Sequence, residues 1–158
     1  MSATTFIVPK GGVVFILPYV GAALLSSAFL VTAQIVIVGR RRAAAGIHAP
    51  QLYAENAQVE KSVHALRLNC AQRAHLNTLE YIPFLYLTTC ITACKYPILA
   101  ASLCGSWVFA RIFYTRGYVS EKPSKRFWGA ETSVAALIGL VLSATYTVGE
   151  AVMAELSS

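Results

Sequence analysis

The chain has 158 residues, of which 56% are hydrophobic and 13% are charged, and its formal net charge is +6. So few charges beside such long apolar runs exclude an ordinary soluble domain and favour an integral membrane protein. A basic chain can also indicate a nucleic-acid partner, but here the basic residues flank the apolar runs, which is typical of membrane topology signals.

Four apolar stretches predict four transmembrane helices, and hence an all-α membrane bundle. A helix needs about 20 residues to cross the hydrocarbon core of a bilayer. The first stretch meets this length without a charge, whereas the second and third do so only when their polar ends are included. The predicted helices, in a single domain covering 1–158, are at about residues 13–40, 66–95, 97–118 and 126–152.

The first apolar stretch has one alternative interpretation, a cleaved signal peptide. It is longer than a typical signal core, and Arg40-Arg41-Arg42 follows it where a small-residue cleavage site would be expected. We therefore predict a retained membrane anchor. Arginine and lysine are concentrated in the loop after the first helix and in the loop after the third. In a four-helix chain these loops share one side, which the positive-inside rule predicts to be cytosolic.

Small residues and cysteines are interpreted as packing residues. The first and fourth helices are rich in glycine, alanine and serine, which let helices approach closely in lipid. The four cysteines show neither zinc-site spacing nor a disulfide framework, so no metal site is predicted.

The second helix carries polar residues where apolar ones are expected. Arg73, Asn77 and Glu80 fall on one helical face, whereas His75 points nearly the opposite way. The third helix carries a second stripe, which is followed by a basic segment. This stripe consists of Trp107, Arg111, Tyr114 and Tyr118. Charged groups in a membrane span are costly, so a functional site is the first hypothesis for them.

Each polar residue also has a structural interpretation. Arg73 and Glu80 can form a buried ion pair, and Arg111 can pair with Glu80 or Glu131. The tyrosines can belong to an interfacial aromatic belt, and the arginine triplet can serve only topology. Both stripes, however, lie at the same end of adjacent helices and are flanked by further arginines. This coincidence favours a binding site.

The chemistry of the site suits a small zwitterion with more than one carboxylate. Arginine recognises carboxylates with two parallel hydrogen bonds. Glu80 can receive an ammonium group, and Asn77 can both donate and accept. Glutathione fits this description, and a nearby guanidinium would favour its thiolate. The residues alone do not separate glutathione from other acidic metabolites.

Two motifs carry a resemblance to a known family. Residues 68–80, with the sequence LNCAQRAHLNTLE, strongly resemble the helix-two motif of the MAPEG family, membrane-associated proteins in eicosanoid and glutathione metabolism. Ala110-Arg111, Tyr114, Gly117-Tyr118 and the segment 121–126 are similar to the same family. The resemblance is greatest to its type-three microsomal glutathione S-transferase subfamily and covers about residues 12 to 150.

The resemblance implies a homotrimer in the endoplasmic reticulum or nuclear envelope membrane, with glutathione between subunits near the cytosolic side. Arg126 is the implied catalytic group that stabilises the thiolate; ungapped counting gives Lys125 instead, and the helix-one arginines are further alternatives. A glutamine replaces His75 in leukotriene-forming relatives and contacts glutathione from the neighbouring subunit. Arg111 is expected behind the ligand residues. The implied glutathione-binding set is Arg40, Arg41, Arg73, His75, Asn77, Glu80, Tyr81, Tyr114, Tyr118 and Arg126.

The implied function is that of a membrane glutathione transferase or glutathione-dependent peroxidase. Glutathione is the expected co-substrate, no metal is needed, and a lipophilic electrophile or lipid hydroperoxide would enter from the bilayer. The implied function includes conjugation of glutathione to a lipid, as in leukotriene synthases. The alternative is a non-catalytic lipid-binding or scaffold member of the same fold. A small channel or transporter subunit is disfavoured because the polar positions are confined to one end of the predicted bundle.

Overall fold

The computed structural model describes residues 13–120 and 126–157, with side chains from residue 18 onwards. The helices are α1 (Val13–Ala45), α2 (Asn56–Lys61), α3 (Val63–Ala93), α4 (Pro97–Val119) and α5 (Phe127–Leu156). Of these, α1 from Pro18 onwards, α4 and α5 are long and apolar enough to cross a membrane. The 31 residues of α3 are also long enough, but its polar stripe makes it less apolar. The transmembrane placement of α3 therefore stays a prediction.

The long helices form a bundle in which α3 and α4 are the central pair. Helix α1 contacts both of them, α5 also contacts both, and within the described residues α1 and α5 do not touch. The core between the helices is built on Leu85, Cys104, Trp107 and Leu140, none more than 1% exposed. Cys104 is therefore a packing residue, as expected, whereas Cys90 and Cys94 lie exposed on the surface of the subunit.

Helix α1 ends at Ala45, beyond the predicted end near residue 40. The arginine triplet and the three alanines after it are good helix formers, so the helix continues through them. Gly46 then adopts a φ of +64° and stops it. Its N–H donates to the Ala43 carbonyl at 3.2 Å, and the Ile47 N–H donates to the Arg42 carbonyl at 3.4 Å. This pair of bonds is the usual glycine-terminated helix end.

The segment between α1 and α3, expected to be a polar loop, contains α2 and is fixed to the ends of both neighbouring helices. The Arg42 guanidinium donates to the carbonyl oxygens of Gln51 at 2.6 Å and Leu52 at 3.0 Å. The Asn69 amide accepts from the Ala54 N–H at 2.7 Å and donates to the Ala54 carbonyl at 2.9 Å. Arg42 and Asn69 therefore have structural roles beside the predicted site.

Helix α5 begins in close contact with α4 at Gly129. A Cβ atom at this position would lie 2.7 Å from the carbonyl oxygen of Ala110 and closer still to the backbone nitrogen of Tyr114. Only a residue without a side chain permits this approach. The contact places the start of α5, and with it Arg126, beside the end of α4 that carries Tyr114 and Tyr118.

Candidate functional site

Asn77 of α3 joins the two polar stripes that the sequence predicts. Its Oδ1 atom accepts hydrogen bonds from Arg111 Nη1 at 3.0 Å and from the Tyr114 hydroxyl at 2.9 Å. Its Nδ2 atom donates to Glu80 Oε2 at 3.0 Å. Two donors on the oxygen leave only one orientation for the amide, with its NH₂ group facing the carboxylate. Asn77 thus couples the position of Glu80 to that of α4.

Arg111 is a buried cation, 2% exposed, enclosed by aromatic rings. Its guanidinium carbon lies 4.7 Å from the ring centre of Tyr81, 5.2 Å from that of Trp107 and 4.5 Å from that of Tyr114. Ring faces attract a desolvated cation, which offsets part of the cost of burial. The suggested Arg111 ion pairs are wrong, since among the described residues the guanidinium hydrogen-bonds Asn77 instead. Arg111 therefore lies behind Asn77, Tyr81 and Tyr114, and its role in supporting ligand residues stays a prediction.

Arg73 and Glu80 lie beyond Asn77, towards the surface. Arg73 Nη1 is 3.8 Å from Glu80 Oε1, and the two side chains are 55% and 56% exposed. The interpretation of this pair as a buried structural ion pair is therefore wrong. An exposed pair contributes at most about 1 kcal/mol to stability. Both charges are open to a ligand on the surface of the subunit.

Tyr118 and Arg126 extend the cluster in the other direction. The rings of Tyr114 and Tyr118 pack edge to face with centres 5.1 Å apart. The Arg126 guanidinium carbon lies 4.8 Å from the ring centre of Tyr118. Contacts thus run without a break from Arg73 to Arg126. The alternative candidate Lys125 lies outside the described residues.

Three predicted site residues do not join this cluster within one subunit. Arg40 is exposed and Arg41 half-buried on α1. In the described part of the chain, no hydrogen bond or ion pair links either arginine to α3 or α4. His75 lies on the other side of α3, where its Nδ1 atom is 3.5 Å from Gln34 Oε1 of α1. His75 and the cluster therefore occupy different faces of α3, as the helical spacing predicts, whereas Arg40 and Arg41 belong to α1.

Comparison with models of known protein families identifies the family of the chain. The model of the MAPEG family matches residues 20–146, which is 127 of the 158 residues. The chain belongs to the MAPEG family. The match extends from the first turns of α1 to the second half of α5 and therefore includes the whole polar cluster. Glutathione-linked transferase or peroxidase chemistry in a membrane is the general activity that this membership supports.

One buried polar side chain of this MAPEG protein, that of Gln34, is not predicted by the sequence analysis. Gln34 of α1 is 2% exposed, and its Nε2 atom donates to Thr78 Oγ1 of α3 at 2.9 Å and to Thr115 Oγ1 of α4 at 2.7 Å. It lies beneath His75 and ties three helices together. The signal that could have found it is a lone amide in a charge-free span, because such a group needs partners in lipid.

The described residues of this MAPEG protein offer no group of three histidine, cysteine or acidic side chains that could hold a metal ion. The site that the chain does form consists of guanidinium, carboxylate, amide and phenol groups. These groups can bind and orient a charged organic ligand and stabilise a negative charge on it. Within the cluster from Arg73 to Arg126, no side chain is a ready nucleophile.

Proposed function

We propose that this MAPEG protein is a membrane glutathione transferase or glutathione-dependent peroxidase of the type-three microsomal kind. The observation that carries the proposal is the unbroken set of contacts from Arg73 to Arg126. It joins two stripes from different helices, and it gathers donors and acceptors that match both ends of glutathione.

The ligand groups have complementary partners in the cluster. Arg73, exposed and geometrically suited to two parallel bonds, takes a glutathione carboxylate. Glu80, held by Asn77, takes the ammonium group. Tyr81, Tyr114 and Tyr118 offer hydroxyl groups beside apolar ring faces, which suits the amide backbone of a bent peptide.

Arg126 stabilises the thiolate of the bound glutathione. A cation near a thiol favours its ionised form, which is the nucleophile. In conjugation, the thiolate sulfur forms a bond to an electrophilic carbon, and the leaving group or the opened ring takes up the electron pair. In peroxide reduction, the sulfur attacks the distal peroxide oxygen and releases an alcohol. A second glutathione then yields the disulfide and water.

The remaining ligand residues come from a neighbouring subunit in this proposal. His75 lies on the other side of α3, and among the described residues no hydrogen bond or ion pair joins Arg40 or Arg41 to the cluster, so in this proposal a second copy presents the three residues to it. A homotrimer in the endoplasmic reticulum or nuclear envelope, with its arginine-rich end in the cytosol, satisfies that geometry. Arg42 is not a candidate, because its guanidinium is already bonded to the Gln51 and Leu52 carbonyls.

The test is Arg126→Ala, with Arg116→Ala as the matched control. Arg116 also lies near the end of α4, but it is exposed and lines a groove between α1 and α4 on the other side. Turnover with a soluble electrophile should fall by about 10²- to 10³-fold in Arg126→Ala. The ultraviolet absorbance of the bound thiolate should fall with it, while Arg116→Ala stays near wild type. Near-normal turnover in Arg126→Ala would refute the assignment and make Lys125 the next candidate.

A non-catalytic lipid-binding member of the fold is the second candidate, favoured by one feature. The groove between α1 and α4 has a volume of about 410 Å³ and is almost wholly apolar, with Phe29, Leu30 and Ile112 among its walls. An acyl chain fits such a lining. Purified protein that binds lipid but neither binds glutathione nor shows conjugation or peroxidase activity would establish this candidate in place of the first.

A further inference from the structure

A second polar cluster lies at the opposite end of the bundle and has no part in the proposed reaction. It involves the turn between α3 and α4 and the last turns of α5. Glu150 follows Phe127 by 23 residues on α5 (150 − 127), which is about 35 Å along the helix axis. This exceeds the hydrocarbon thickness of about 30 Å, so the two clusters lie at the two interfaces of one bilayer.

An ion pair forms the centre of this second cluster. Lys95 Nζ lies 2.6 Å from Glu150 Oε2, and the Tyr96 hydroxyl donates to the same oxygen at 3.1 Å. Tyr146, one turn before Glu150, also interacts with the carboxylate. The hydrogen bond to Glu150 raises the pKa of Lys95 above its ordinary value of 10.5, so the ammonium stays protonated. The Lys95 and Glu150 side chains are 46% and 34% exposed and so remain open to a ligand.

The ion pair adjoins a cavity with aromatic and aliphatic walls. The cavity has a volume of about 310 Å³ and is lined by Tyr96, Leu99, Leu142, Ser143 and Tyr146. The rings of Tyr96 and Tyr146 have centres 6.3 Å apart and are tilted by 38°, which makes a shallow wedge beside the carboxylate. Leu142 is 64% exposed and Leu99 43% exposed. The Lys95–Glu150 ion pair and the apolar wall of the cavity thus lie next to each other.

We propose that this cluster binds the headgroup of a phosphocholine lipid of the bilayer. Lys95 takes the phosphate. Glu150 and the faces of Tyr96 and Tyr146 take the quaternary ammonium. The acyl chains continue along Leu99 and Leu142.

Charge complementarity selects a zwitterionic lipid. Lys95 and Glu150 together carry no net charge, so a lipid with only a negative headgroup gains at the ammonium and loses at the carboxylate. The paired opposite charges of phosphocholine match both groups at once.

The aromatic groups select choline among the zwitterionic headgroups. A quaternary ammonium cannot donate hydrogen bonds and is recognised by ring faces, which two tyrosines provide here. A primary ammonium depends on hydrogen-bond acceptors, and Glu150 already accepts from Lys95 and Tyr96. Phosphatidylethanolamine should therefore bind less well than phosphatidylcholine.

The proposal is tested by native mass spectrometry of the full chain, purified in detergent, stripped of lipid and titrated with defined lipids. Dioleoylphosphatidylcholine should bind more tightly than the phosphatidylethanolamine and phosphatidylglycerol with the same chains. Glu150→Gln and Tyr146→Leu should each weaken phosphatidylcholine binding by about tenfold. Tyr19→Leu is the matched control, because Tyr19 is 66% exposed at the same end of the bundle but outside the cavity.

A double variant separates binding from folding. Lys95→Glu combined with Glu150→Lys keeps an ion pair between the α3–α4 turn and α5 but exchanges the positions of the ammonium and the carboxylate, so that the carboxylate no longer lies beside Tyr146. Phosphatidylcholine binding should fall by about tenfold while thermal stability stays near wild type. Unchanged phosphatidylcholine affinity in Glu150→Gln and Tyr146→Leu would overturn the proposal, as would tighter binding of phosphatidylglycerol by the wild-type chain.

Discussion

Gly129→Ala tests the contact that places α5 against α4. The added Cβ would lie 2.7 Å from the Ala110 carbonyl oxygen and 2.9 Å from Tyr114 Cα. Both neighbours are helix backbone, which cannot rotate away as a side chain can. Relief therefore requires the two helices to separate by about 1 Å. A gap of that size forfeits a quarter to a half of the dispersion energy between the separated atoms.

The magnitude follows from two opposing contributions. Overpacking of a tight contact costs about 1–3 kcal/mol. Replacing glycine by alanine inside a helix stabilises the folded state by about 0.5–1 kcal/mol. The expected net loss is about 1 kcal/mol and at most about 2.5 kcal/mol, measured as the free energy of unfolding by sodium dodecyl sulfate in mixed micelles. Because the separation also moves Arg126, at the start of α5, away from Tyr118 of α4, glutathione-dependent turnover should fall in the same variant.

Gly149→Ala is the matched control on the same helix. A Cβ at Gly149 would meet nothing within 4 Å, so only the gain in helix propensity applies. This variant should be more stable than wild type by about 0.5–1 kcal/mol. Replacing glycine by alanine is thus expected to lower the free energy of unfolding at one position of α5 and to raise it at the other. A Gly129→Ala chain as stable as the Gly149→Ala chain would refute the close-contact explanation.

Two further variants separate stability from ligand binding within the cluster. Arg73→Ala removes an exposed ion pair, so the free energy of unfolding should change by less than about 1 kcal/mol. Glutathione affinity, measured by calorimetry, should nevertheless fall by about tenfold to a hundredfold; unchanged affinity would contradict the ligand role of Arg73. Asn77→Ala leaves the buried guanidinium of Arg111 without its hydrogen bond and should cost about 2–3 kcal/mol of stability. Equal losses of stability in Arg73→Ala and Asn77→Ala would contradict the prediction that the buried hydrogen bond contributes more than the exposed ion pair.

The long helices and the polar cluster were predictable because both depend on periodicity. Apolar runs of spanning length define the helices, and a spacing of three to four residues places Arg73, Asn77 and Glu80 on one face. The stripe on α4 follows from the same spacing. The sequence does not by itself give the pairing between stripes, in which Asn77 bonds both Arg111 and Tyr114, because that depends on the relative height of two helices.

Other features depend on contacts that no local pattern reveals. Asn69 lies on the same face as Arg73, yet it bonds the backbone of Ala54 in the preceding segment. The arginine triplet is similar: only the structure separates Arg42, bonded to the loop, from Arg40 and Arg41. The special position of Gly129 among the small residues of α5 likewise depends on the backbone of a different helix.

The Gln34 amide has a consequence for the vertical register of the bundle. Contacts between apolar side chains change little when one helix slides along another, because lipid tails are as apolar as the side chains they replace. Hydrogen bonds from one amide to Thr78 and Thr115 are directional and do not permit such sliding. Arg40 follows Gln34 by six residues, or about 9 Å along α1. The Gln34 hydrogen bonds therefore fix the position of α1 along its axis relative to α3 and α4. This position sets the depth at which the arginines of α1 meet the membrane surface.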